Sequence, residues 1–233
     1  MVICINMKIN MKMKNIFYLF LILVSIASCS NDNYNAPSAT LSGSVLDNET
    51  NDMIENGGVN SGTIIQIFEG KSKQPILSQS FPDGHFVNAA LFPGNYKLFA
   101  VGAFSTVGDT MSITISKDTK VDIKVLPNVR LKATLQSLSG TTAIINVDYE
   151  KVQAAQTLGQ LAVVWSIMDN PNLYSFAGGG QKTETVTSLN LTKGSMTFTI
   201  TGLVSGAKYY IRAAGSTDAP GSYYNYSTTI KTP

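Results

Sequence analysis

The sequence of residues 81–96 is Phe-Pro-Asp-Gly-His-Phe-Val-Asn-Ala-Ala-Leu-Phe-Pro-Gly-Asn-Tyr, a short apolar run between two turn motifs. Proline presets φ and glycine adopts positive φ at little cost, so Pro-Asp-Gly and Pro-Gly-Asn favour tight turns. We predict positive φ at Gly84 and Gly94. We also predict that Phe86 and Tyr96 point into a core from the strands that follow these turns. The stretch therefore indicates a β-sheet protein.

Similar runs fill the chain on both sides of this stretch. They are short, enriched in β-branched and aromatic residues, and alternate with polar positions, and no long helical pattern interrupts them. About seven runs lie between residues 39 and 127 and about seven more between 128 and 233, a density typical of β-sandwiches. Leu126-Pro127-Asn128 breaks the pattern. We predict an all-β fold of two consecutive β-sandwich domains, residues 39–127 and 128–233.

Two sets of motifs resemble known sandwich families. Residues 43–47, 81–86 and 91–96 resemble the G-x-V-x-D, D-x-G-x-F and L-x-x-G-x-Y motifs of the carboxypeptidase-regulatory, or prealbumin-like, sandwich. That resemblance implies a structural or binding accessory rather than a catalyst. In the second half, Gly202-Leu203 followed by Tyr209 resembles the tyrosine corner of fibronectin type III and immunoglobulin-like domains. There a buried tyrosine bonds nearby backbone through its hydroxyl group.

The first 29 residues have the features of an export signal. Lysines at 8, 12 and 14 precede an apolar run at 16–29 that is too short to cross a bilayer as a helix. Its end, Ile26-Ala27-Ser28-Cys29, resembles the lipobox of bacterial lipoproteins. The resemblance implies lipidation of Cys29, a signal peptide at 1–28 and a flexible tether at 29–38. An ordinary secretory signal with a chance cysteine and an uncleaved short anchor are the alternatives.

Signal, tether and two sandwiches together resemble two-domain lipoproteins of unknown function from Bacteroidetes. Those proteins are usually encoded beside Sus-type outer-membrane glycan importers. The resemblance implies a lipid-anchored position in the outer membrane, facing the cell exterior. It also implies three partners: the membrane through the anchor, a polysaccharide or oligosaccharide, and subunits of the importer.

Charge and cysteine content exclude several functions. The chain has 17 basic and 15 acidic side chains, and loss of the three signal lysines would leave them nearly balanced. No basic surface and no nucleic-acid partner are therefore predicted. Cys4 lies in the signal and Cys29 is the predicted lipid site, so the folded part has neither a disulfide nor thiol chemistry.

No catalytic constellation is visible in the sequence. His85 is the single histidine, and its place in a hairpin favours a turn-flanking polar residue over a base or a metal ligand. The carboxylates are scattered, without a marked pair. The acidic loop at 47–52 offers oxygen ligands, but its spacing does not match the calcium-loop pattern. We predict a protein that is not an enzyme and has no metal site and no cofactor.

Carbohydrate binding requires exposed aromatic rings bordered by polar side chains. Three places meet this requirement: Phe104 in a glycine-rich turn, and two loop segments that we predict to provide the ligand-binding residues Asp169, Asn172, Tyr174, Phe176, Tyr223, Tyr224, Asn225 and Tyr226. Strand alternation also allows Tyr224 and Tyr226 to be core residues, and Trp165 favours the core. In sandwiches of this type the two loops lie at opposite ends, which predicts two separate patches. The predicted function is carbohydrate binding as an accessory of glycan uptake. The alternative is a structural or assembly subunit, either a fimbrial component or a spacer in a surface complex.

The lipid anchor gives the first testable prediction. We expect the Cys29→Ser chain to leave the membrane fraction, because acyl chains supply about 0.8 kcal/mol of membrane affinity per buried CH₂ group. Cell fractionation and intact-mass analysis of the amino terminus measure this directly. Cys4→Ser is the matched control and leaves the distribution unchanged. Retention of the Cys29→Ser chain in membranes would instead favour an uncleaved anchor.

Overall fold

The computed structural model describes residues 35–59, 61–108, 110–188, 191–221 and 223–233. Every regular element in these ranges is a β-strand, which confirms the predicted all-β fold. The predicted signal peptide at 1–28, Cys29 and the tether as far as residue 34 lie outside the described residues. No helical segment in the described ranges has the length and apolarity needed to cross a membrane.

Among the described residues between 39 and 127, nine strands are present. They are β1 (Ala39–Asp47), β2 (Ile64–Glu69), β3 (Ile76–Gln79), β4 (His85–Leu91), β5 (Gly94–Val101), β6 (Phe104–Thr106), β7 (Met111–Ile115), β8 (Asp118–Lys120) and β9 (Ile123–Pro127). One sheet has the order β4-β1-β9-β6, with β8 against β1, and the other has the order β3-β2-β5-β7. Alternating apolar side chains from both sheets form one core between them, including Leu41, Ile65, Phe86 and Leu98. We call this half the N-terminal sandwich.

The glycines of the two turn motifs differ in backbone conformation. Gly84 has a φ of 91°, and a Cβ there would lie 2.7 Å from the Ile54 carbonyl oxygen, so this prediction is confirmed. Phe86 and Tyr96 are buried in the core, also as predicted. The prediction for Gly94 is wrong, because its φ is not positive. Gly94 opens β5 and pairs with Ile115, and this ladder pairing holds it in strand conformation.

In the part of the chain that the structure describes from residue 129 onward, eight strands follow. They are β10 (Val129–Ser139), β11 (Thr142–Lys151), β12 (Leu158–Ser166), β13 (Gly180–Ser188), β14 (Lys193–Ile200), β15 (Tyr210–Thr217), β16 (Asn225–Tyr226) and β17 (Ile230–Lys231). One sheet has the order β10-β11-β14, and the other has the order β13-β12-β15-β16, with β17 also against β15. A second core lies between them and includes Ile145, Leu161, Phe198 and Ile211. We call this half the C-terminal sandwich.

Two details of the C-terminal sandwich bear on the predictions. Tyr209 is buried, and its hydroxyl oxygen accepts a hydrogen bond from the Val204 backbone N–H at 3.2 Å, which confirms the tyrosine-corner geometry. The last part of the chain pairs as two short strands, β16 and β17, and not as one continuous strand. Between them, the Ser227 carbonyl accepts a bond from Arg212 Nε at 3.0 Å and its Oγ accepts one from the Ala213 N–H, which interrupts regular pairing.

Strands β12 and β15 are buried on both faces, although only one face meets the core. Leu161 and Val163 point into the core, while Ala162 and Val164 point outward and are equally buried. Ala214 of β15 lies beside them on this outer face. A continuous buried run of this kind indicates a strand that is covered on both sides. The cover comes from residues 167–179 and from the N-terminal sandwich.

The two sandwiches meet around the side chain of Arg212, on the outer face of β15. Its guanidinium group is fully buried and donates to the Ser227 carbonyl, to the Asn56 carbonyl at 3.0 Å and to the Glu55 carboxylate at 2.8 Å. It also lies 4.7 Å from the centre of the Tyr226 ring. Burial raises the pKa of Glu55 and lowers that of Arg212, and the attraction between the two charges opposes both shifts.

A second ion pair lies where the chain passes from one sandwich to the other. Asp47, at the end of β1, accepts bonds from Nε and Nη2 of Arg130 at 2.6 and 3.1 Å. Such a two-point contact fixes the orientation of both groups. Glu49 and Glu150 also contact the same guanidinium group. The acidic loop at 47–52 therefore directs its buried carboxylate, Asp47, to an arginine.

The buried arginine gives a prediction about stability. We expect Arg212→Met to lower the free energy of unfolding by about 3–5 kcal/mol, because Glu55 keeps a buried charge without its partner. Urea unfolding of residues 37–233, which form one compact unit, measures the change. Adding Glu55→Gln to this variant is expected to restore part of the loss.

Lys231→Met is the matched control for this prediction. Lys231 also lies over a tyrosine ring, at 5.4 Å from the centre of Tyr210, but it is exposed to solvent. Exposed contacts of this kind contribute at most about 1 kcal/mol. If Arg212→Met and Lys231→Met lowered the free energy of unfolding equally, burial of Arg212 would not explain its effect.

Candidate functional site

A groove of about 430 Å³ opens where the two sandwiches meet. Its walls come from three segments that are far apart in the sequence. We call it the seam groove, and it is lined by Val59, Ser61, Asn172, Tyr174, Ser175, Gly221, Tyr223 and Tyr224. Four of the predicted ligand-binding residues are among them: Asn172, Tyr174, Tyr223 and Tyr224.

The predicted separation of the two aromatic patches is wrong, because the segment after β12 does not stay at its end of the sandwich. Residues 167–179 cross the outer face of the sheet, where Leu173 N–H donates to the Tyr226 hydroxyl oxygen at 3.3 Å. The segment then returns, and Ser166 Oγ donates to the Ala177 carbonyl at 2.7 Å. The small apolar surface of Ala162 and Val164 accommodates this path. As a result Tyr174 reaches the same groove as Tyr223 and Tyr224.

Asn172 holds this segment against the N-terminal sandwich. Its Nδ2 donates to the Gly57 carbonyl at 2.9 Å, and its Oδ1 accepts from the Tyr174 backbone N–H at 2.9 Å. Asn172 and Ser175 also exchange backbone bonds at 3.0 Å, which closes a tight turn. This turn leaves the Tyr174 side chain 70% exposed. Asn172 therefore positions Tyr174, in addition to lining the groove.

The wall from the N-terminal sandwich is a loop organised by a buried asparagine. Asn56 Nδ2 donates to Ser80 Oγ and to the Phe81 carbonyl, both at 2.9 Å, while its Oδ1 accepts from the Gly58 N–H at 2.8 Å. Ser61 Oγ donates to the Gly57 carbonyl at 3.0 Å. These internal bonds fix the loop before any ligand arrives, which reduces the entropy lost on binding.

Two tyrosines form the opposite wall. Tyr224 is half-buried, and its hydroxyl group donates to Gln160 Oε1 at 2.6 Å, so the ring is held along the outer face of the sheet. Tyr223 lies over Gly221, where an added Cβ would come within 2.3 Å of the ring. Gly221 also has a φ of 97°. Glycine at this position therefore permits both the backbone turn and the position of the ring.

The remaining predicted residues lie outside the seam groove. Asn225 is buried, and its Oδ1 accepts from the Val129 N–H at 2.9 Å, at the start of the C-terminal sandwich. Phe176 is half-buried and packs on the outer face of the sheet. Asp169 lines a different, polar cavity beside Glu55 and Lys231. These three residues therefore do not share the groove with Tyr223 and Tyr224, and their part in ligand binding stays a prediction.

Tyr226 is also an interior residue, so the core alternative is the correct one for it. Burial raises the pKa of its hydroxyl group to about 12, although the Leu173 N–H and the Arg212 charge act in the opposite direction. The hydroxyl group therefore stays protonated at neutral pH. Its ring stacks on Arg212 and not on a ligand. Trp165 packs against the C-terminal core, as predicted.

The sequence did not single out four residues of the groove, namely Val59, Ser61, Ser175 and Gly221. The sequence did contain an indication for Val59. Val59 is an isolated apolar residue in a loop of glycine, asparagine and serine, and such a residue is a candidate for a surface contact. Nothing in the local pattern indicates that this loop lies against the other sandwich.

The groove offers recognition groups rather than a reacting set. Its lining combines aromatic rings with hydroxyl and amide groups and has no acid–base pair. His85 lies elsewhere, on an exposed hairpin, with Nδ1 2.6 Å from Asp83 and its ring stacked on Phe81. Among the described residues, no group of three or more histidine, cysteine or carboxylate side chains could hold a metal ion.

Fold and site together define a β-sandwich protein with an aromatic groove at the junction of its two halves. Residues 39–126 match the N-terminal domain model of a protein family of unknown function, DUF3823. No curated protein matches the chain.

Several solved structures have the same fold. A DUF3823 family protein from Bacteroides ovatus is 22% identical with a TM-score of 0.69, over 83% of this chain and 98% of that one. A DUF3823 family protein from Bacteroides uniformis is 19% identical with a TM-score of 0.72, over 84% and 99%. Another Bacteroides uniformis structure, described as a "putative carbohydrate binding protein", is 16% identical with a TM-score of 0.69, over 84% and 99%.

The close approach at Gly221 gives a prediction about the groove. We expect Gly221→Ala to move the Tyr223 ring out of its place, because the new Cβ would overlap it and the backbone has positive φ. A crystal structure of the variant shows the ring position directly. Gly202→Ala is the matched control, since Gly202 has a φ of 78° but no atom within 4 Å of an added Cβ. An unmoved Tyr223 ring in Gly221→Ala would contradict the prediction.

Proposed function

We propose that the seam groove binds carbohydrate and that the protein is a lipid-anchored accessory of glycan uptake at the outer membrane. The observation that carries the binding proposal is the grouping of three tyrosines, from two distant segments, in one open groove. Tyr174 is 70% exposed although it is held by a structured turn. A large aromatic ring kept in water by a rigid turn is a feature of binding sites.

The chemistry of the lining suits a sugar. Aromatic rings stack on the apolar C–H faces of pyranose rings, and hydroxyl and amide groups bond to the sugar hydroxyl groups around them. The tyrosines supply the rings, and Ser61, Ser175 and Asn172 supply polar groups at the rim. The volume of about 430 Å³ lies in the usual range of small-ligand sites.

One similar structure supports the same reading. The second Bacteroides uniformis protein carries a description as a candidate carbohydrate-binding protein. At 16% identity this likeness concerns the fold, so the ligand proposal for this chain depends on its own groove.

The cellular part of the proposal comes from the sequence. Lipidation at Cys29 would fix the chain to the membrane, and residues 30–38 would hold the sandwiches away from it. A glycan held in the seam groove would then be retained beside the importer subunits. The resemblance to lipoproteins encoded beside Sus-type importers supports this placement.

Affinity electrophoresis of residues 37–233 through gels that contain single polysaccharides tests the proposal. The panel includes starch, xylan, glucomannan, levan, galactan, polygalacturonate and chondroitin sulfate. We expect at least one polymer to retard the protein, and Tyr174→Ala to weaken that binding about tenfold, the effect of losing about 1.4 kcal/mol of stacking. Tyr174→Phe keeps the ring and is expected to bind nearly as well as the unchanged protein.

Phe99→Ala is the matched control, because Phe99 is an exposed aromatic residue of β5 that does not line the groove. Failure of every polymer to retard the protein would overturn the proposal. Equal retardation of Tyr174→Ala and the unchanged protein would place the site elsewhere.

A further inference from the structure

Among the described residues, the lining of the seam groove has no lysine, arginine, histidine or carboxylate side chain. Its eight residues are tyrosine, serine, asparagine, valine and glycine. A ligand in the groove therefore meets rings and neutral hydrogen-bonding groups.

The segments that supply the lining contain no cation either. Residues 54–63, 167–179 and 218–224 have neither lysine nor arginine, but they contain three acids: Glu55, Asp169 and Asp218. Asp218 accepts a bond from the Thr157 backbone N–H at 2.8 Å, and this bond lowers its pKa and keeps it ionised. The charges nearest to the groove along the chain are therefore negative.

Two of these acids, Asp169 and Asp218, lie close to the groove along the chain, although Asp169 also lines a separate cavity with Lys231. Asp169 and Asp218 each precede a groove residue, Asn172 or Gly221, by three positions. Three residues span at most about 10 Å, which is comparable to the screening length at physiological salt and well below that at low salt.

The nearby buried cation is not available to a ligand. Arg212 is fully buried behind Tyr226, and its donors are occupied by Glu55, Asn56 and Ser227. A carboxylate or sulfate placed in the groove would lose part of its hydration without gaining a positive partner. The groove would therefore select against carboxylated and sulfated ligands, because their binding carries this cost.

We infer that the seam groove selects uncharged glycans and discriminates against uronic-acid and sulfated ones. This inference rests on the proposed carbohydrate-binding function and adds the chemical class of the sugar. Stacking and neutral hydrogen bonds supply the affinity, so binding of the neutral polymer depends little on salt. Repulsion and desolvation exclude the acidic polymer, and the repulsive part weakens as salt screens it.

The test uses one polymer in two forms. The probe is a neutral polysaccharide that retards the protein, compared with the same polysaccharide oxidised at C6 to carry carboxylates, each at 10 and 500 mM NaCl. We expect the oxidised form to bind about tenfold more weakly at low salt, with a smaller gap at high salt. Equal or tighter binding of the oxidised form at low salt would overturn the inference.

A lysine introduced at the rim of the groove provides a second test of selection by charge. Val59 is 72% exposed at the rim, so Val59→Lys is expected to fold normally and to strengthen binding of the oxidised polymer several-fold at low salt. Val204→Lys is the matched control, because Val204 is 65% exposed and does not line the groove. If Val59→Lys leaves the ratio between the two polymers unchanged, charge is not the basis of selection and the inference fails.

Different results would overturn the inference about charge and the proposal of carbohydrate binding. Retardation by acidic polymers alone would overturn the inference and leave carbohydrate binding in place. Retardation by no polymer of either kind would remove carbohydrate binding itself, and the inference with it.

Discussion

The arrangement of this protein depends on one buried guanidinium group. Arg212 is out of contact with water, and burial of such a charge is costly unless every donor finds a partner. Its partners come from both halves of the molecule: Ser227 belongs to the C-terminal sandwich, and Glu55 and Asn56 belong to the N-terminal one. The group is therefore satisfied only when the two sandwiches meet in this orientation.

The contacts of Arg212 with both sandwiches also determine where the groove forms. Glu55 and Asn56, which accept bonds from Arg212, begin the loop that continues to Val59 and Ser61. Because Arg212 holds the start of this loop, it also holds the groove wall that Val59 and Ser61 form. On the other side, residues 167–179 fill the outer face of β12 and present Tyr174 at its margin. The residues that line the groove thus lie on loops, but the junction between the two sandwiches holds each loop. A site of this kind is largely formed before the ligand arrives.

Strand content and core were predictable because each follows from a local pattern. Alternation along residues 39–47 predicts a strand with one buried face, and the positions of Phe86, Tyr96 and Tyr209 follow from turn and strand geometry. The covered outer face was not predictable in this way. Ala162 and Val164 have the pattern of residues in any buried strand, whichever element covers them. Asn225 and Tyr226 look like loop residues until the path of the last strand is known, and the meeting of Tyr174 with Tyr223 depends on contacts distant in sequence.

The bond between Asn172 and Gly57 has a consequence for how such proteins can diversify. Because the walls of the groove are divided between the two sandwiches, genetic exchange of either sandwich alone would join one wall to an unrelated one. The shape of the groove is therefore expected to be inherited with the pair of sandwiches as one unit. A shuffled descendant would lose the groove and would also leave Arg212 without its partners Glu55 and Asn56.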